Sequence, residues 1–348
     1  MKLVNYFFIA TAILVMAACG GKNKSNASLA GAGATFPLPY YTLAFKTYQD
    51  AHQTEVTYGG IGSGGGIRSL KDKVVDFAAS DAFLSDADMK KMPAVVHVPT
   101  CMGAVVLAYK LKDVKSLKLT GDIVADIYMG KITKWNDQRI SAINPGVALP
   151  SKSIVPVYRS DGSGTTFVFS DYLSKISPSW KSSIGSGKSL KWPVGIASKG
   201  NPGVSGTVSQ TEGAIGYVGS EYAFAQKIAY AQLKNAAGKF ITPSLQSISA
   251  AATGDMPKDT RCMITNSPAS DAYPISCFTW LLIYKDQKYG SRTLGQATST
   301  VKLLNWILSD EAQKLTAKVN YAPLPKKVID NAEAQLKTVT YGSTPLLK

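Results

Sequence analysis

The chain has 348 residues, of which 45% are apolar and 18% are charged. These proportions exclude a disordered protein, and the length is sufficient for two domains or one large two-lobed body. Lys and Arg number 38 against 23 Asp and Glu, a net charge of +15 that creates a field attracting anions. Because the basic residues occur singly or in pairs, solvated lysines are favoured over a nucleic-acid groove.

The N-terminus predicts export. Met1-Lys2 precedes a nearly unbroken apolar stretch of 16 residues, 3–18, which is short for a membrane span and typical of a signal peptide. The stretch ends in Ala17-Ala18-Cys19-Gly20, which resembles the bacterial lipobox. We therefore expect a signal peptide over 1–18, a lipid on Cys19 and a flexible tether over 19–28. The alternative is an ordinary signal peptide cleaved near Ala18, with Cys19 incidental.

Strand-like and helical patterns alternate along the rest of the chain. The predicted strands are 30–34, 54–58, 75–79, 105–109, 154–158, 214–218 and 278–284. The predicted helices are 37–52, 67–73, 122–128, 167–175, 300–309 and 311–319. Such alternation is typical of an α/β fold with ligands at the carboxyl ends of its strands. Residues 234–271 show the least pattern and are interpreted as a surface insertion.

Three glycine-rich loops, each between a strand and a helix, predict an anion site. They are residues 31–37, 59–66 and 161–166. Free N–H groups at a helix N-terminus favour anions, and glycine lets the backbone approach a ligand closely. Hydroxyl groups that can each donate a hydrogen bond lie in these loops at Thr35, Ser63, Ser163 and Thr165. One such loop is weak evidence, but three together indicate a common site.

Two charged residues sharpen the prediction. Arg159 lies at a strand end beside the third loop, and its guanidinium fork suits a tetrahedral oxyanion. Asp81 follows the strand 75–79, where the loops should converge. An ionised Asp only accepts hydrogen bonds, so it attracts protonated phosphate and repels fully ionised sulfate. The alternative is that Asp81 caps a helix beginning near Ser85.

The order and spacing of these motifs resemble the phosphate-binding proteins of bacterial phosphate ABC transporters. The motifs are Gly-Ala-Gly-Ala-Thr-Phe-Pro, Gly-Ile-Gly-Ser-x-Gly-Gly, Asp-Phe-x-Ala-Ser-Asp and Arg-x-Asp-Gly-Ser-Gly-Thr, beginning at positions 31, 60, 76 and 159. The likeness continues through 128–135, 191–195, 213–218, 272–275 and 321–325. It implies a two-lobed periplasmic-binding-protein fold (type II) with a ligand cleft between lobes joined by two crossover strands. Lobe 1 is expected over 29–105 plus 275–348, and lobe 2 over 106–274.

The resemblance also implies the ligands and the function. The implied phosphate ligands are the side chains of Thr35, Ser63, Asp81, Arg159, Ser163 and Thr165 and the backbone N–H groups of Phe36 and Gly164. Asp161 is expected to pair with Arg159 and steady it. The implied protein is a periplasmic lipoprotein that binds inorganic phosphate and delivers it to an ABC transporter permease, without a cofactor, a metal or nucleic acid. The chain departs from the pattern at Gly64, Phe83 and Gly219-Ser220, none of which is a predicted ligand.

The cysteines beyond Cys19 allow one internal pair. Cys262 and Cys277 are separated by 14 residues and form the expected disulfide, while Cys101 is expected to be a buried free thiol. Reduced cysteines throughout are the alternative. No Cys/His spacing predicts a zinc site.

Three other functions compete with phosphate binding. Residues 182–189 nearly match a nucleotide-binding P-loop, but the first glycine is missing and no buried strand precedes them, so a mobile basic loop is favoured. An exported hydrolase would need a base beside a nucleophilic serine, and the two histidines, His52 and His97, lie outside the three loops. A binder of sulfate or molybdate is disfavoured by Asp81. We therefore predict a binding protein and not an enzyme.

Overall fold

The structure, a computed structural model, describes residues 28–347. The predicted signal peptide, the lipid site at Cys19 and all but the last residue of the tether lie outside the described residues. Within the described residues, no helix is long and apolar enough to cross a membrane.

Strands and helices alternate through most of this region. The strands are β1 (Ser28–Gly33), β2 (Glu55–Gly60), β3 (Phe77–Ser80), β4 (Val95–Tyr109), β5 (Lys118–Leu119), β6 (Val155–Arg159), β7 (Ile196–Ser198), β8 (Ala214–Gly219), β9 (Ala229–Tyr230), β10 (Gln232–Lys234), β11 (Phe240–Ile241), β12 (Ser276–Tyr284), β13 (Thr340–Tyr341) and β14 (Thr344–Pro345). The helices are α1 (Leu38–His52), α2 (Ser63–Lys71), α3 (Asp86–Met89), α4 (Gly121–Tyr128), α5 (Gln138–Ala142), α6 (Gly164–Ile176), α7 (Pro178–Ser183), α8 (Gly200–Gln210), α9 (Ser220–Ala225), α10 (Leu245–Ser249), α11 (Leu294–Ile307), α12 (Asp310–Lys318) and α13 (Lys326–Lys337).

A nine-stranded sheet organises the molecule. Its order is β2-β1-β3-β12-β4-β8-β6-β7, with β9 beside β4. The central strand β4 is buried along its whole length, as its near-continuous apolar sequence requires of a strand covered on both faces. Residues 95–104 of β4 pair with β12, whereas residues 105–109 pair with β8.

This change of partner divides the sheet into two parts. We call β1, β2, β3, β12 and the first part of β4 the first half of the sheet. The second half comprises the last part of β4 with β6, β7, β8 and β9. In the first half β1 is parallel to β2 and β3. In the second half β6 is parallel to β7 and β8. Each half therefore aligns the carboxyl ends of its parallel strands at one edge, which confirms the predicted α/β fold.

Every predicted strand and helix overlaps an observed one, but several helices begin earlier than predicted. The second helix begins at Ser63 rather than Ile67, and the helix expected at 167–175 begins at Gly164. The glycine-rich loops therefore lead directly into helical backbone. Several observed helices, α8 and α13 the longest of them, have no predicted counterpart. The sequence of α8 contains three glycines and a proline, which have low helix propensity.

Residues 234–271 do not form a separate surface insertion. Within this stretch, the Thr260 hydroxyl donates to the His97 carbonyl at 2.7 Å, and the Trp280 indole N–H donates to the Thr260 carbonyl at 3.1 Å. A few residues further on, the Lys175 ammonium donates to the Thr265 hydroxyl at 2.7 Å. The segment thus packs against β4 and β12 on one side and against α6 on the other.

The expected disulfide between Cys262 and Cys277 is wrong, because both residues are free thiols. Cys277 is buried within β12 and lies opposite Gly103 of β4. The Cys262 sulfur lies in the 255–265 loop, 3.2 Å from the sulfur of Met256. Cys101 is a buried free thiol, as expected.

Candidate anion-binding site

The three glycine-rich loops meet where the two halves of the sheet touch. The Gly64 N–H donates to the Gly162 carbonyl at 2.8 Å, and the Gly164 N–H donates to the Ser63 hydroxyl at 3.0 Å. At Gly62 the backbone has a φ of +87°, and a Cβ there would lie 2.3 Å from a carboxylate oxygen of Asp161. Only glycine fits this position without strain. The sequence pattern therefore permits the close approach of the loops.

Arg159 is buried at the end of β6 and is fixed by several hydrogen bonds. Its Nε and Nη2 donate to the two carboxylate oxygens of Asp161 at 2.8 and 2.6 Å. Its Nη1 donates to the Thr165 hydroxyl at 3.4 Å, and its backbone N–H donates to the Tyr217 hydroxyl at 2.9 Å. A guanidinium has five N–H donors, so the pairing with Asp161 orients the fork while leaving donors for an anion.

The partner carboxylate is itself held in place. The Gly200 N–H donates to Asp161 Oδ1 at 3.0 Å. Burial acts to raise the pKa of Asp161, but the hydrogen bonds and charge of Arg159 outweigh it, and the pKa is lowered overall. Asp161 is therefore a carboxylate at neutral pH. This geometry matches the expectation that it pairs with Arg159 and steadies it.

Asp81 lies immediately after β3 and is 1% exposed. Its Oδ1 accepts a hydrogen bond from the Thr279 hydroxyl at 2.8 Å, and its Oδ2 accepts one from the Thr165 hydroxyl at 3.5 Å. Burial raises the pKa of Asp81 to about 7, although the Thr279 hydrogen bond and the charge of Arg159 oppose the shift. The carboxyl group can therefore change its protonation near neutral pH.

The alternative role for Asp81 as a helix cap is excluded. Helix α3 is capped by Ser85, whose hydroxyl accepts the Asp88 N–H at 3.1 Å. Asp81 instead points toward the groups that the three loops bring together, as its bonds to Thr279 and Thr165 require.

The predicted serine ligands accept hydrogen bonds from the backbone. The Ser63 hydroxyl accepts the N–H groups of Gly164, at 3.0 Å, and Asp81, at 3.4 Å. The Ser163 hydroxyl caps α6 by accepting the Thr166 N–H at 3.0 Å. Among residues 28–347, neither serine hydroxyl is hydrogen-bonded to a histidine. Each hydroxyl still has its O–H group available, which can donate a hydrogen bond to a bound anion.

Thr35 and Phe36 occupy the turn between β1 and α1. The Tyr222 hydroxyl donates to the Thr35 carbonyl at 2.5 Å, and the Tyr321 hydroxyl donates to the Phe36 carbonyl at 2.5 Å. Both residues are nearly or fully buried. Two long-range tyrosine hydrogen bonds therefore hold the turn that carries these predicted ligands.

Sequence reasoning missed Asn201, which is fully buried beside the predicted ligands. Its side-chain N–H donates to the hydroxyls of Thr35 at 3.0 Å and Thr165 at 3.1 Å. A signal was present, since Gly200 and Asn201 begin helix α8 almost directly after strand β7, as Gly164 begins α6 after β6 and the third loop. It was weak because β7 has three residues and α8 is rich in glycine.

The two histidines are not placed as catalytic bases. The buried His97 accepts the Leu84 N–H through Nε2 at 3.0 Å, and burial lowers its pKa to about 3. His52 lies at the end of α1 with its ring 4.3 Å from that of Tyr48. Among residues 28–347, no cluster of three or more His, Cys, Asp or Glu side chains could hold a metal ion.

These features define a class of protein. Hydroxyl and N–H donors, one guanidinium and two carboxylates lie together between two halves of an α/β sheet. This arrangement is typical of proteins that bind an oxyanion. The sequence matches the family model of the PBP superfamily domain over residues 20–311.

Curated relatives identify the family more closely. The chain is 39% identical to the phosphate-binding protein PstS of Xylella fastidiosa (strain Temecula1) over 318 residues, which cover 90% of this chain and 86% of that protein. It is 36% identical to PstS of Haemophilus influenzae over 343 residues, with 97% and 99% covered. The chain belongs to the PstS family of phosphate-binding proteins.

Solved structures share the fold. A high-affinity periplasmic phosphate-binding protein, determined with bound phosphate, superposes with a TM-score of 0.70 at 20% identity, covering 88% of this chain and 93% of that chain. The phosphate-binding protein of Stenotrophomonas maltophilia superposes with a TM-score of 0.65 at 18% identity and the same coverage. At these identities the likeness concerns the fold alone.

Proposed function

We propose that the protein binds inorganic phosphate outside the cytoplasmic membrane and delivers it to the permease of an ABC transporter. Family membership supports this function, and so does the chemistry of the site. The single observation that carries the proposal is the buried pair of opposite charges, Arg159 and Asp81, facing one group of hydroxyl and N–H donors.

Each group has a defined role in phosphate capture. Arg159 supplies the positive charge, and its charge-assisted hydrogen bonds are stronger than neutral ones. The hydroxyls of Thr35, Ser63, Ser163 and Thr165 and the N–H groups of Phe36 and Gly164 donate to the phosphate oxygens. The Gly164 N–H donates to the Ser63 hydroxyl in this structure. A phosphate oxygen must therefore replace that hydroxyl as the acceptor of the Gly164 N–H.

Asp81 distinguishes phosphate from other oxyanions. As a carboxylate it accepts a hydrogen bond from a protonated phosphate oxygen, whereas sulfate at neutral pH has no proton to donate. Burial makes a clash between the Asp81 carboxylate and a sulfate oxygen costly, because water cannot solvate either charge. The site therefore selects phosphate over sulfate and molybdate.

The site binds phosphate without turnover. Serine nucleophiles require an adjacent base, and the hydroxyls of Ser63 and Ser163 contact backbone N–H groups. His97, with its lowered pKa, accepts a backbone hydrogen bond elsewhere. Phosphate leaves the site unchanged when the protein opens.

Delivery depends on two lobes and on a membrane anchor. Lobe 1 comprises 29–105 plus 275–348, and lobe 2 comprises 106–274. The change of partner along β4, from β12 before residue 105 to β8 after it, supports this division. Closure of the lobes around phosphate creates the shape recognised by the permease. A lipid on Cys19, proposed from its lipobox-like sequence, holds the protein at the membrane.

Titration calorimetry on the exported chain tests the proposal. We expect phosphate to bind and sulfate to give no saturable heat at the same concentration. Equal affinity for the two anions would contradict the role of Asp81, and absence of phosphate binding would overturn the proposed function. Release of inorganic phosphate from phosphate esters, measured in parallel, tests the absence of turnover.

A further inference from the structure

We propose that Asn201 is a positioning residue that directs the hydroxyl protons of Thr35 and Thr165 toward bound phosphate. The inference deepens the proposed function and rests on it. Asn201 is the second residue of α8, is fully buried, and contacts residues from both halves of the sheet.

The orientation of the Asn201 amide is set by the end of β8. The Gly219 N–H lies 3.0 Å from Asn201 Oδ1. A backbone N–H can only donate, so it requires the carbonyl oxygen of the amide on its side. The amide nitrogen must then face the two threonines. The direction of these hydrogen bonds follows from the partners.

The amide nitrogen and the backbone N–H of Asn201 together determine whether the Thr35 hydroxyl donates or accepts a hydrogen bond at the ligand. The Thr35 hydroxyl oxygen accepts from the backbone N–H of Asn201 at 3.0 Å and from its side-chain N–H at 3.0 Å. A hydroxyl has two acceptor positions and one donor. Because Asn201 fills both acceptor positions, the Thr35 hydroxyl can only donate to a ligand.

Thr165 is constrained in the same way by two residues. Its hydroxyl oxygen accepts from the Asn201 side chain at 3.1 Å and from Arg159 Nη1 at 3.4 Å. Its proton is directed to Asp81 at 3.5 Å, which is long for an O–H···O hydrogen bond and readily exchanged for a phosphate oxygen. Asn201 thus presents both threonines as donors.

This polarity suits one form of the ligand. Ionised phosphate oxygens only accept, so they match two donating hydroxyls, while the remaining P–OH proton is left for Asp81. A site whose threonines were free to accept would bind the more protonated dihydrogen phosphate equally well. Asn201 therefore helps to determine which ionisation state of phosphate binds.

The Asn201→Asp variant tests this polarity with almost no change of shape. One carboxylate oxygen still accepts the Gly219 N–H, but the other takes the place of the amide NH2 that donates to Thr35 and Thr165. Both threonine hydroxyls then donate to this oxygen, so their protons point away from the ligand. We expect phosphate affinity at pH 8 to fall about 100-fold. Asn201→Ala leaves the threonines free to rotate, and its loss should be about 10-fold. Asn305→Asp, an exposed position on α11, controls for the added charge.

The pH profile separates positioning from a merely structural role. Between pH 8 and pH 6, phosphate gains a proton that a reversed threonine can accept. Asn201→Asp should therefore recover about 10-fold relative to wild type over this range, whereas Asn201→Ala should not. The charged groups next to the partners of Asn201 are Asp81 and Arg159 at Thr165, Asp161 at Gly200 and Glu221 at Gly219. All four are present in both variants. An equal loss for the two variants at every pH would overturn the inference.

A double-mutant cycle keeps the test decisive if Asn201→Asp does not fold. Thr35→Val and Asn201→Ala should be less than additive in phosphate affinity, because Asn201 acts through the hydroxyl that valine lacks. Additive losses would contradict the inference. If the wild-type protein binds phosphate and Asn201→Asp binds it equally well, only this inference fails. If the wild type does not bind phosphate, the proposed function fails as well.

Discussion

Arg159 and Thr35 face the same site from opposite halves of the sheet, but they are held by different partners. Arg159 is fixed within the second half by Asp161 and Tyr217. The Thr35 hydroxyl is bonded across the junction to Asn201, and the Ser63 hydroxyl accepts the Gly164 N–H from the other half.

The difference indicates an order of events in binding. Under the proposed function, the second half attracts the anion first, because Arg159 is oriented by partners within its own half. The hydroxyls of the first half reach their observed geometry only in contact with the second half. The first half also carries Asp81, which is bonded to Thr279 of the same half. The proposed function therefore assigns attraction to the second half and selection to the first.

The largest expected effect comes from removing the charge of the second half. Arg159→Ala deletes the guanidinium and leaves the partly buried Asp161 carboxylate without its charged partner, so phosphate affinity should fall about 1,000-fold. Titration calorimetry measures the loss. Arg139→Ala is the matched control, because this exposed arginine also pairs with an aspartate two residues away. Similar affinity for the two variants would contradict the assignment of attraction to Arg159.

The next largest effect concerns the first half. Asp81→Asn replaces an acceptor-only carboxylate by an amide that can also donate, so sulfate no longer meets a negative charge. The ratio of phosphate to sulfate affinity should fall about 100-fold. Competition of both anions with a phosphate analogue measures the ratio. Asp50→Asn, on the exposed face of α1, should leave it unchanged. An unaltered ratio in Asp81→Asn would show that selection lies elsewhere.

A smaller effect is expected for the residue that orients Arg159. Asp161→Asn keeps the shape of the side chain but leaves one acceptor oxygen for the two guanidinium donors. One hydrogen bond and the negative charge are therefore lost, and phosphate affinity should fall about 10-fold. Asp137→Asn, whose carboxylate pairs with Arg139 at the surface, is the control. Because Asp161 orients Arg159 and is not itself a predicted ligand, the ratio of phosphate to sulfate affinity should stay near that of wild type. A changed ratio of phosphate to sulfate affinity would contradict the separation of attraction, assigned to Arg159, from selection, assigned to Asp81.

The last expected effect concerns stability and its pH dependence rather than affinity. Burial raises the pKa of Asp81 to about 7, so the folded protein retains a proton that the unfolded chain releases near pH 4. Stability contributed by this proton is full below pH 4 and is lost as pH rises to 7, by at most about 1.4 kcal/mol per pH unit. Buried Glu221, whose pKa burial also raises, adds to the slope.

Chemical denaturation of phosphate-free protein between pH 4 and pH 7 measures this slope. The free energy of unfolding should decline less steeply with pH in Asp81→Asn and in Glu221→Gln than in wild type. The exposed substitution Glu55→Gln should leave the slope unchanged. A slope that is the same in all variants would show that neither buried carboxyl keeps its proton.

Much of the site was predictable because its signals are local. A strand followed by a glycine-rich turn and a helix is encoded within a few residues, as at Gly62 and Gly164. Helix boundaries were less accurate, since glycines at the start of α2 and α6 disguise helical backbone. Helix α8 was missed for the same reason. The disulfide was wrong because spacing along the chain does not specify the environment of Cys277 inside β12.

The sequence by itself determined the α/β alternation, the loops that carry the donors, and the charged residues Arg159 and Asp81. Only the tertiary structure decided how those groups are oriented. Asn201 and Thr35 are 166 residues apart, and Thr279 and Asp81 are 198 residues apart. Hydrogen bonds over such separations depend on the pairing of distant strands in the sheet, and no local pattern of residues records them.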